Sequence, residues 1–285
     1  MRVAVLGARG FIGRHLTAAL RARGDRVVEA SLRDPEAAAR ASSGCDAVVN
    51  LAGAPVAARW TASAKRAMWS SRVDVPRAFL RALEPLDARP ATYISASAIG
   101  YYGTSWDATF VEESLPGGDF LANLCVAWEA EADTAAALGM RVTKVRTGLV
   151  LGRDGGVLVR LVPLFRAGLG GPVASGRQWY SWIALEDLIG IYAHALDGTA
   201  GVLNATAPDP VTNREFTRAL GGALHRPTPF PVPAFAVAAL LGAGASIVTE
   251  GQRVLPARTL ASGYVFRHPQ LGAALEATFK AAAPA

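Results

Sequence analysis

The chain has 285 residues, and its 29 Lys plus Arg against 23 Asp plus Glu leave a net charge of +6. Hydrophobic residues make up 51% and charged ones 18%, which excludes disorder through shortage of apolar surface. A chain of this size buries a substantial core as one large domain or two smaller ones; its arginines are spread out rather than gathered into a basic arm, so no nucleic acid is expected as a partner.

Apolar runs alternate with stretches of helical spacing through the first two thirds, the pattern of a parallel sheet with crossover helices. Residues 2–6 read as a strand. Residues 11–23 read as a helix with Ile12, Leu16, Ala19 and Leu20 on one face, stopped by Gly24. Strands follow at 26–31 and 47–51, then a helix at 73–83 and a strand at 91–95. A long helix over 120–138 ends at Gly139, and 141–146 closes the series as a strand. Asp46 comes only fifteen positions after Ser31, too few for a helix, a third strand and its return. The sheet is therefore expected to lack that strand or keep it as a stub, although a Rossmann half normally carries three.

Beyond Thr147 the pattern becomes irregular and rich in Gly and Pro. Residues 167–172 read as a loop, 179–184 as a strand, 186–196 as a helix and 202–205 as a strand. Residues 213–224 are helical, with Thr212 or Asn213 as N-cap. The expected fold class is α/β: a Rossmann-like doubly wound parallel sheet over 1–165, with later returns at about 179–205. A smaller interwoven C-terminal substrate domain takes most of 166–285.

Cys45 and Cys125 lack a CxxC partner and lie far apart, so buried free thiols in a reducing cytoplasm are expected rather than a zinc site or a disulfide. The apolar start, Met1 to Gly7, is too short for the core of a signal peptide. Residues 227–249 carry no charge, but Pro227, Pro229, Pro231 and Pro233 break the first part. The remainder would rise about 22 Å as a helix against ~30 Å of hydrocarbon. A buried Ala/Gly-rich helix or a groove wall is expected there, and no membrane partner.

Gly7-Ala-Arg9-Gly10-Phe11-Ile12-Gly13 is a GxxGxxG run placed between a strand and a helix. Gly7 allows the sharp turn, Gly10 lets the backbone approach a pyrophosphate, and Gly13 lets helix and strand pack closely. The helix N-terminus then offers free N–H groups to phosphate. No Gly-Lys-Ser/Thr follows, which excludes a P-loop. An NAD site would place an acid at the end of the second strand. Here the strand ends Ala30-Ser31-Leu32-Arg33, with Glu29 early and Asp34 late. Ser31 and Arg33, with Arg9 in the loop, suit a 2′-phosphate, so NADP(H) is the expected cofactor. The alternative for Arg33 is a solvated charge before a turn.

These motifs resemble the extended short-chain dehydrogenase/reductases of the NAD(P)-dependent epimerase/dehydratase group. More narrowly the chain is similar to the atypical "epimerase family protein" branch, which carries a C-terminal domain of unknown role. The matching stretches include Asp46-Ala-Val-Val-Asn-Leu-Ala-Gly53, Trp69-Ser-Ser-Arg72, Ser95-Ala-Ser-Ala-Ile-Gly-Tyr-Tyr-Gly103, Arg146-Thr-Gly-Leu-Val-Leu-Gly152 and Glu250-Gly-Gln-Arg-Val-Leu-Pro256. The resemblance implies that Leu51, Ala52 and Gly53 line the adenine–ribose side and that Arg72 contacts the cofactor. It implies also that Ser95 or Ser97 is the substrate-polarising serine and that 147–149, with Leu149, flank the nicotinamide. Arg177, Trp179 and Tyr180 would come from the substrate domain.

Ordinary members of the group use a Tyr-xxx-Lys pair on one helical face, where the lysine lowers the tyrosine pKa. The matching helix here offers Leu124 and Trp128, or Cys125 and Glu129. Neither restores a phenol beside an ammonium. Tyr101 or Tyr102, Glu129 and Cys125 are the available substitutes, and the candidate catalytic residues are Ser97 and Tyr101. His15, His194, His225 and His268 lack metal-ligand spacing.

The leading expectation is an enzyme, an NADP(H)-dependent oxidoreductase or epimerase-like protein acting on a polar carbonyl or sugar-like small molecule as a monomer or homodimer. The absent pair raises a second reading, an NADP(H)-binding sensor without turnover. A third has residues 227–248 docking a protein partner.

Overall fold

The apolar runs of the first half become parallel strands because residues of this kind fit positions buried on both sheet faces. A computed structural model describes residues 1–280; residues 281–285, the end of the expected C-terminal domain, lie outside the described residues. In chain order the first part comprises β1 (Arg2–Leu6), α1 (Phe11–Ala22), β2 (Arg26–Ala30), α2 (Pro35–Ser42) and β3 (Ala47–Asn50). Then come α3 (Ala62–Arg72), α4 (Asp74–Leu83), β4 (Thr92–Ala98), β5 (Thr109–Phe110), α5 (Phe120–Asp133) and β6 (Arg141–Thr147). The second part begins with β7 (Leu149–Gly152), β8 (Gly155–Gly156), α6 (Leu158–Arg166), β9 (Trp179–Tyr180), β10 (Trp182–Ala184), α7 (Leu185–Leu196) and β11 (Gly201–Ala205). It ends with β12 (Val211–Thr212), α8 (Asn213–Ala223), α9 (Ala234–Leu241), α10 (Ser246–Thr249), β13 (Arg253–Val254), α11 (Ala257–Ala261) and α12 (Leu271–Lys280).

Six parallel strands form the main sheet in the order β2-β1-β3-β4-β6-β11. The interval between β2 and β3 holds α2 and, among the described residues, no strand, as the short spacing predicts. The order reverses between β1 and β3. Carboxyl ends of strands at such a switch point leave a crevice, and the glycine turn opens into it.

Alternation along β1 builds two cores at once. Val3 and Val5 pack with Leu16 and Leu20 of α1 and Ile191 and Tyr192 of α7. Ala4 and Leu6 face the other way, towards Ala38 of α2, Phe79 and Leu83 of α4, and Tyr93. Each fully buried Leu, Val or Phe in these layers contributes about 1.5–3 kcal/mol. A third core joins Leu151, Leu158, Phe165 and Trp182 to Phe216, Leu220, Leu271 and Leu275, tying β7 and β10 to α6, α8 and α12.

Two buried carboxylates sew the C-terminal segment onto the sheet. Glu112 accepts from the backbone N–H groups of Asn204, Arg258 and Thr259 and from the Thr259 hydroxyl. Asp187 accepts from the N–H groups of Arg267 and His268 and from the Tyr264 hydroxyl.

Three local expectations change. The predicted strand over 179–184 breaks at Ser181 into β9 and β10, which belong to different sheets. Ser181 bonds sideways instead: its hydroxyl donates to the Gln252 carbonyl and accepts from the Val254 N–H. The helix over 120–138 is α-helical only to Asp133 and tightens into a 3₁₀ turn over Thr134–Leu138. The apolar helix α9 is not buried: none of its eight residues is. No described helix is long and apolar enough to cross a membrane.

Candidate active site

Gly7 takes φ +85°, the left-handed conformation that a tight strand-to-helix turn requires. A Cβ on Gly13 would stand 2.2 Å from the Gly7 carbonyl oxygen, so only glycine lets α1 lie this close to the turn. Gly10 is the helix N-cap and supplies no capping side chain, and the first turn of α1 contains no acid. The N–H groups of Phe11, Ile12 and Gly13 are given no acceptor by any described residue. Three orphan donors at a helix start form an anion cradle. The side chains there do other work. Phe11 packs its ring on Gly152, Gly155 and Gly156 of the β7–β8 hairpin, and Ile12 packs against the core. What either residue leaves open for an anion is its main-chain N–H.

At the end of β2 both acids are already engaged. Glu29 pairs with Arg21 of α1 at 2.8 Å, and Asp34 caps α2 by accepting from the Ala37 N–H at 2.9 Å. Neither is free to hold a ribose hydroxyl. Ser31, Arg33 and Arg9 are exposed at the carboxyl ends of adjacent strands, and neither arginine has an ion-pair partner among the described residues.

Leu51, Ala52 and Gly53 follow β3 and lie against the glycine turn, where a Cβ on Gly7 would come within 3.1 Å of the Ala52 N. Arg72 ends α3 beside them. Its guanidinium stands 3.0 Å from where a Gly53 Cβ would sit and 5.0 Å over the Trp128 ring. Arg72 is 9% exposed, has no carboxylate partner among the described residues, and makes only long contacts to Met68 O and Ser71 Oγ, both 3.4 Å. Burial pulls its pKa below the ordinary arginine value.

The end of β4 is arranged differently. Ser95 donates to the Ala96 carbonyl, and Ser97 donates to Glu129 Oε1 at 2.6 Å. Glu129 also receives Arg146 through Nε at 2.7 Å and Nη2 at 2.8 Å, a two-pronged buried ion pair. Arg146 Nη1 donates to the Tyr102 hydroxyl, which donates to Asn204 Oδ1. Ser97 and Arg146 are partners across β4 and β6, so strand register brings this network together. Glu129 is thus held as an acceptor of three donors inside this network.

Burial pushes the Cys125 thiol up to about 12, against the lowering influence of Arg72, so it is a packed thiol and a poor nucleophile. Burial likewise raises Tyr102 to about 12. Tyr101 stands apart from its neighbours. Arg146 covers its ring at 3.4 Å from the centroid, the ring is part-exposed, and its hydroxyl has no partner among the described residues.

On the opposite wall, Leu149 pairs with Trp182 in the β7–β10 ladder and its N–H donates to the Ser181 carbonyl. Arg177 is exposed, and Trp179 donates to the Trp106 carbonyl while Arg253 covers its ring at 4.8 Å. Tyr180 is raised to about 12 by burial and donates to the Val248 carbonyl, which makes it a packing residue. His15, His194 and His268 bond to Asp154, Ser262 and Glu186. No described group of three His, Cys, Asp or Glu could hold a metal.

Sequence reasoning did not identify Arg146, Glu112 or Asn204 as members of this region. The signal available for Arg146 was its place at the start of the matching stretch Arg146-Thr-Gly-Leu-Val-Leu-Gly152.

Comparison with known proteins supplies a further layer. The model of the NAD dependent epimerase/dehydratase family matches residues 3–205, and that of a domain of unknown function (DUF1731) matches 232–278. The chain is 41% identical to the chloroplastic epimerase family protein SDR39U1 homolog of Arabidopsis thaliana over 97% of this chain and 86% of that protein. The crystal structure of human epimerase family protein SDR39U1 with NADPH superposes with a TM-score of 0.90 at 37% identity, covering 99% of this chain and 100% of that one. A nucleoside-diphosphate sugar epimerase from Corynebacterium glutamicum matches at TM-score 0.78 and 31% identity, over 98% of this chain and 58% of that one.

Proposed function

The chain belongs to the NAD-dependent epimerase/dehydratase family, and from that premise we propose that it is a cytoplasmic NADP(H)-dependent oxidoreductase, or an epimerase that oxidises and re-reduces its substrate. The substrate class is a polar carbonyl or sugar-like small molecule. One observation carries the cofactor: three orphan N–H donors at the start of α1 follow a turn that packs on Leu51 and Ala52, and the next residue, Gly53, lies against the buried Arg72, which has no carboxylate partner among the described residues. Buried cations are ordinarily paired, so this arrangement fits a ligand's diphosphate. The human relative solved with NADPH supports the same reading.

When bound, NADP(H) supplies or takes up the hydride at its nicotinamide. The N–H groups of Phe11, Ile12 and Gly13 and the Arg72 guanidinium hold the diphosphate. Arg33, Ser31 and Arg9 hold the 2′-phosphate, since Glu29 and Asp34 are committed elsewhere. Tyr101 exchanges a proton with the substrate oxygen through its uncommitted hydroxyl, and Arg146 stacked on its ring fixes its direction. Ser97 acts behind it as a positioning residue through Glu129.

A second reading is favoured by one observation. Ser97, Glu129, Arg146 and Tyr102 satisfy one another, which suits a protein that binds NADP(H) and signals its presence without turnover. Loss of NADPH absorbance against a panel of carbonyl compounds separates the two. The enzyme reading expects turnover that drops about 10²-fold or more in Tyr101→Phe. Tight NADPH binding with no oxidation across the panel overturns it in favour of the sensor.

A further inference from the structure

The uncharged stretch that composition marks as core carries three strongly exposed large apolar side chains. Phe230, Phe235 and Leu240 are 77%, 76% and 73% exposed. They are held there by fixed backbone contacts. Val232 N–H donates to the Pro172 carbonyl, Val232 O accepts from the Ala174 N–H, and Arg59 donates to the Ala239 carbonyl. An apolar-all-round helix normally lies inside a protein or in a lipid phase.

Charge and shape around it narrow the choice of partner. Between Glu215 and Glu250 the sequence contains no acid, while Arg218, His225 and Arg226 fall in that span. Next to Phe230 lies a cavity of about 240 Å³ whose lining combines Arg214, Arg218, Thr217 and Thr228 with proline and alanine side chains, Pro229 and Pro231 among them. Neither guanidinium has a carboxylate within ion-pair distance among the described residues: Glu215, between them in sequence, is turned to Thr212 and feels Arg218 only through its charge, and Arg214 donates to the Ser175 carbonyl through Nη2 alone. Guanidinium forks and hydroxyls over a small cavity match a phosphate.

We propose that residues 226–241 and the adjoining cavity form a peripheral docking surface for an anionic phospholipid bilayer, with a lipid phosphate seated between Arg214 and Arg218 and Phe230, Phe235 and Leu240 inserted among the acyl chains. A free phosphate would leave the neighbouring apolar side chains uncovered. A symmetric pairing of two copies would bring the same arginines face to face. The helix lies in the interface and does not span it, because eight residues rise about 12 Å against ~30 Å of hydrocarbon. This proposal does not depend on the proposed chemistry.

Vesicle co-sedimentation of the full chain tests it, with phosphatidylcholine alone and with phosphatidylcholine plus phosphatidylglycerol. Binding to the mixed vesicles is expected to exceed binding to the neutral ones by about tenfold or more and to fall with added salt. Phe230→Ser/Phe235→Ser/Leu240→Ser should cut it about tenfold while NADPH binding and melting temperature stay near wild type. Arg214→Gln/Arg218→Gln should lower mixed-vesicle binding to the neutral-vesicle level, which keeps the test open if the first variant folds poorly. Equal pelleting with both vesicles, no pelleting, or unchanged pelleting of the arginine variant overturns the proposal. So does displacement by millimolar inorganic phosphate, which would make the cavity a site for the free ion.

Discussion

Two arginines buried at the same edge of the sheet have opposite surroundings. Arg146, 3% exposed, is gripped by both oxygens of Glu129 and bonds on to Tyr102, so the end of β4 satisfies its own polar groups. Arg72, 9% exposed, has an indole face and a glycine beside it but no carboxylate among the described residues, and the helix start of α1 leaves its donors open. A buried polar group is costly unless something pairs with it. One arginine is therefore satisfied within the fold, and the other lacks a charge partner among the described residues, which is why the proposed function gives it the ligand's diphosphate. On the proposed reading, the contrast favours the glycine turn for ligand binding and leaves any proton transfer to Tyr101, whose hydroxyl stands outside the closed network.

Removing Glu129 should produce the largest effect. Glu129→Ala leaves Arg146 buried and uncompensated, and about 3–5 kcal/mol of stability should be lost in urea unfolding. Replacing both members with apolar residues, Glu129→Leu/Arg146→Met, should recover most of that loss, because the cost lies in the orphaned charge. A Glu129→Ala variant as stable as wild type would show that the network is not what holds β4, α5 and β6 together.

Arg72→Ala should behave in the reverse manner. Its removal deletes an unpaired buried charge, so stability should stay level or rise. NADPH affinity by calorimetry should fall by about 1.5–3 kcal/mol, the usual worth of hydrogen bonds to a charged group. Lost stability with unchanged NADPH affinity would reverse the assignment and make Arg72 a structural residue.

The same contrast explains what the sequence reveals. The glycine turn is a contiguous run whose spacing carries its physics, so Gly7, Gly10 and Gly13 and the missing strand between β2 and β3 can be read directly. The closed network cannot, because Ser97, Glu129 and Arg146 meet only through the β4–β6 register and the docking of α5. Helix α3 escapes a periodicity reading because Met68 and Arg72 are its only buried residues. Segment 227–249 misleads in the other direction: composition assigns it to a core, yet Phe230 and Phe235 face outward.

A smaller effect is expected at the exposed rim of the open region. Arg33→Ala should weaken NADPH by about 1–2 kcal/mol, roughly tenfold, and leave NADH nearly unchanged, since only the former carries the 2′-phosphate. Equal losses for both nucleotides would mean that Arg33 is a solvated charge.

The smallest effect concerns the clasp that joins the open region to the second half of the chain. Asp154 meets His15 at 3.0 Å and Arg14 at 2.7 Å, holding the β7–β8 hairpin against α1, where Phe11 fills the glycine-lined gap. Partial burial pushes the Asp154 carboxyl up, but the His15 hydrogen bond and the charges of His15 and Arg14 outweigh it and hold the pKa below 3.8. A depressed carboxyl contributes stability above its unfolded pKa and loses it as pH falls through the folded one, so the change belongs below about pH 4. The carboxylate is 35% exposed, and solvent screening keeps the clasp under about 1 kcal/mol. Asp154→Asn should be slightly less stable than wild type at neutral pH, and its unfolding curve should meet the wild-type curve in acid. A constant gap between the two curves down to low pH would mean that Asp154 acts by shape alone, and that the clasp between the two regions is one of packing, carried by Phe11.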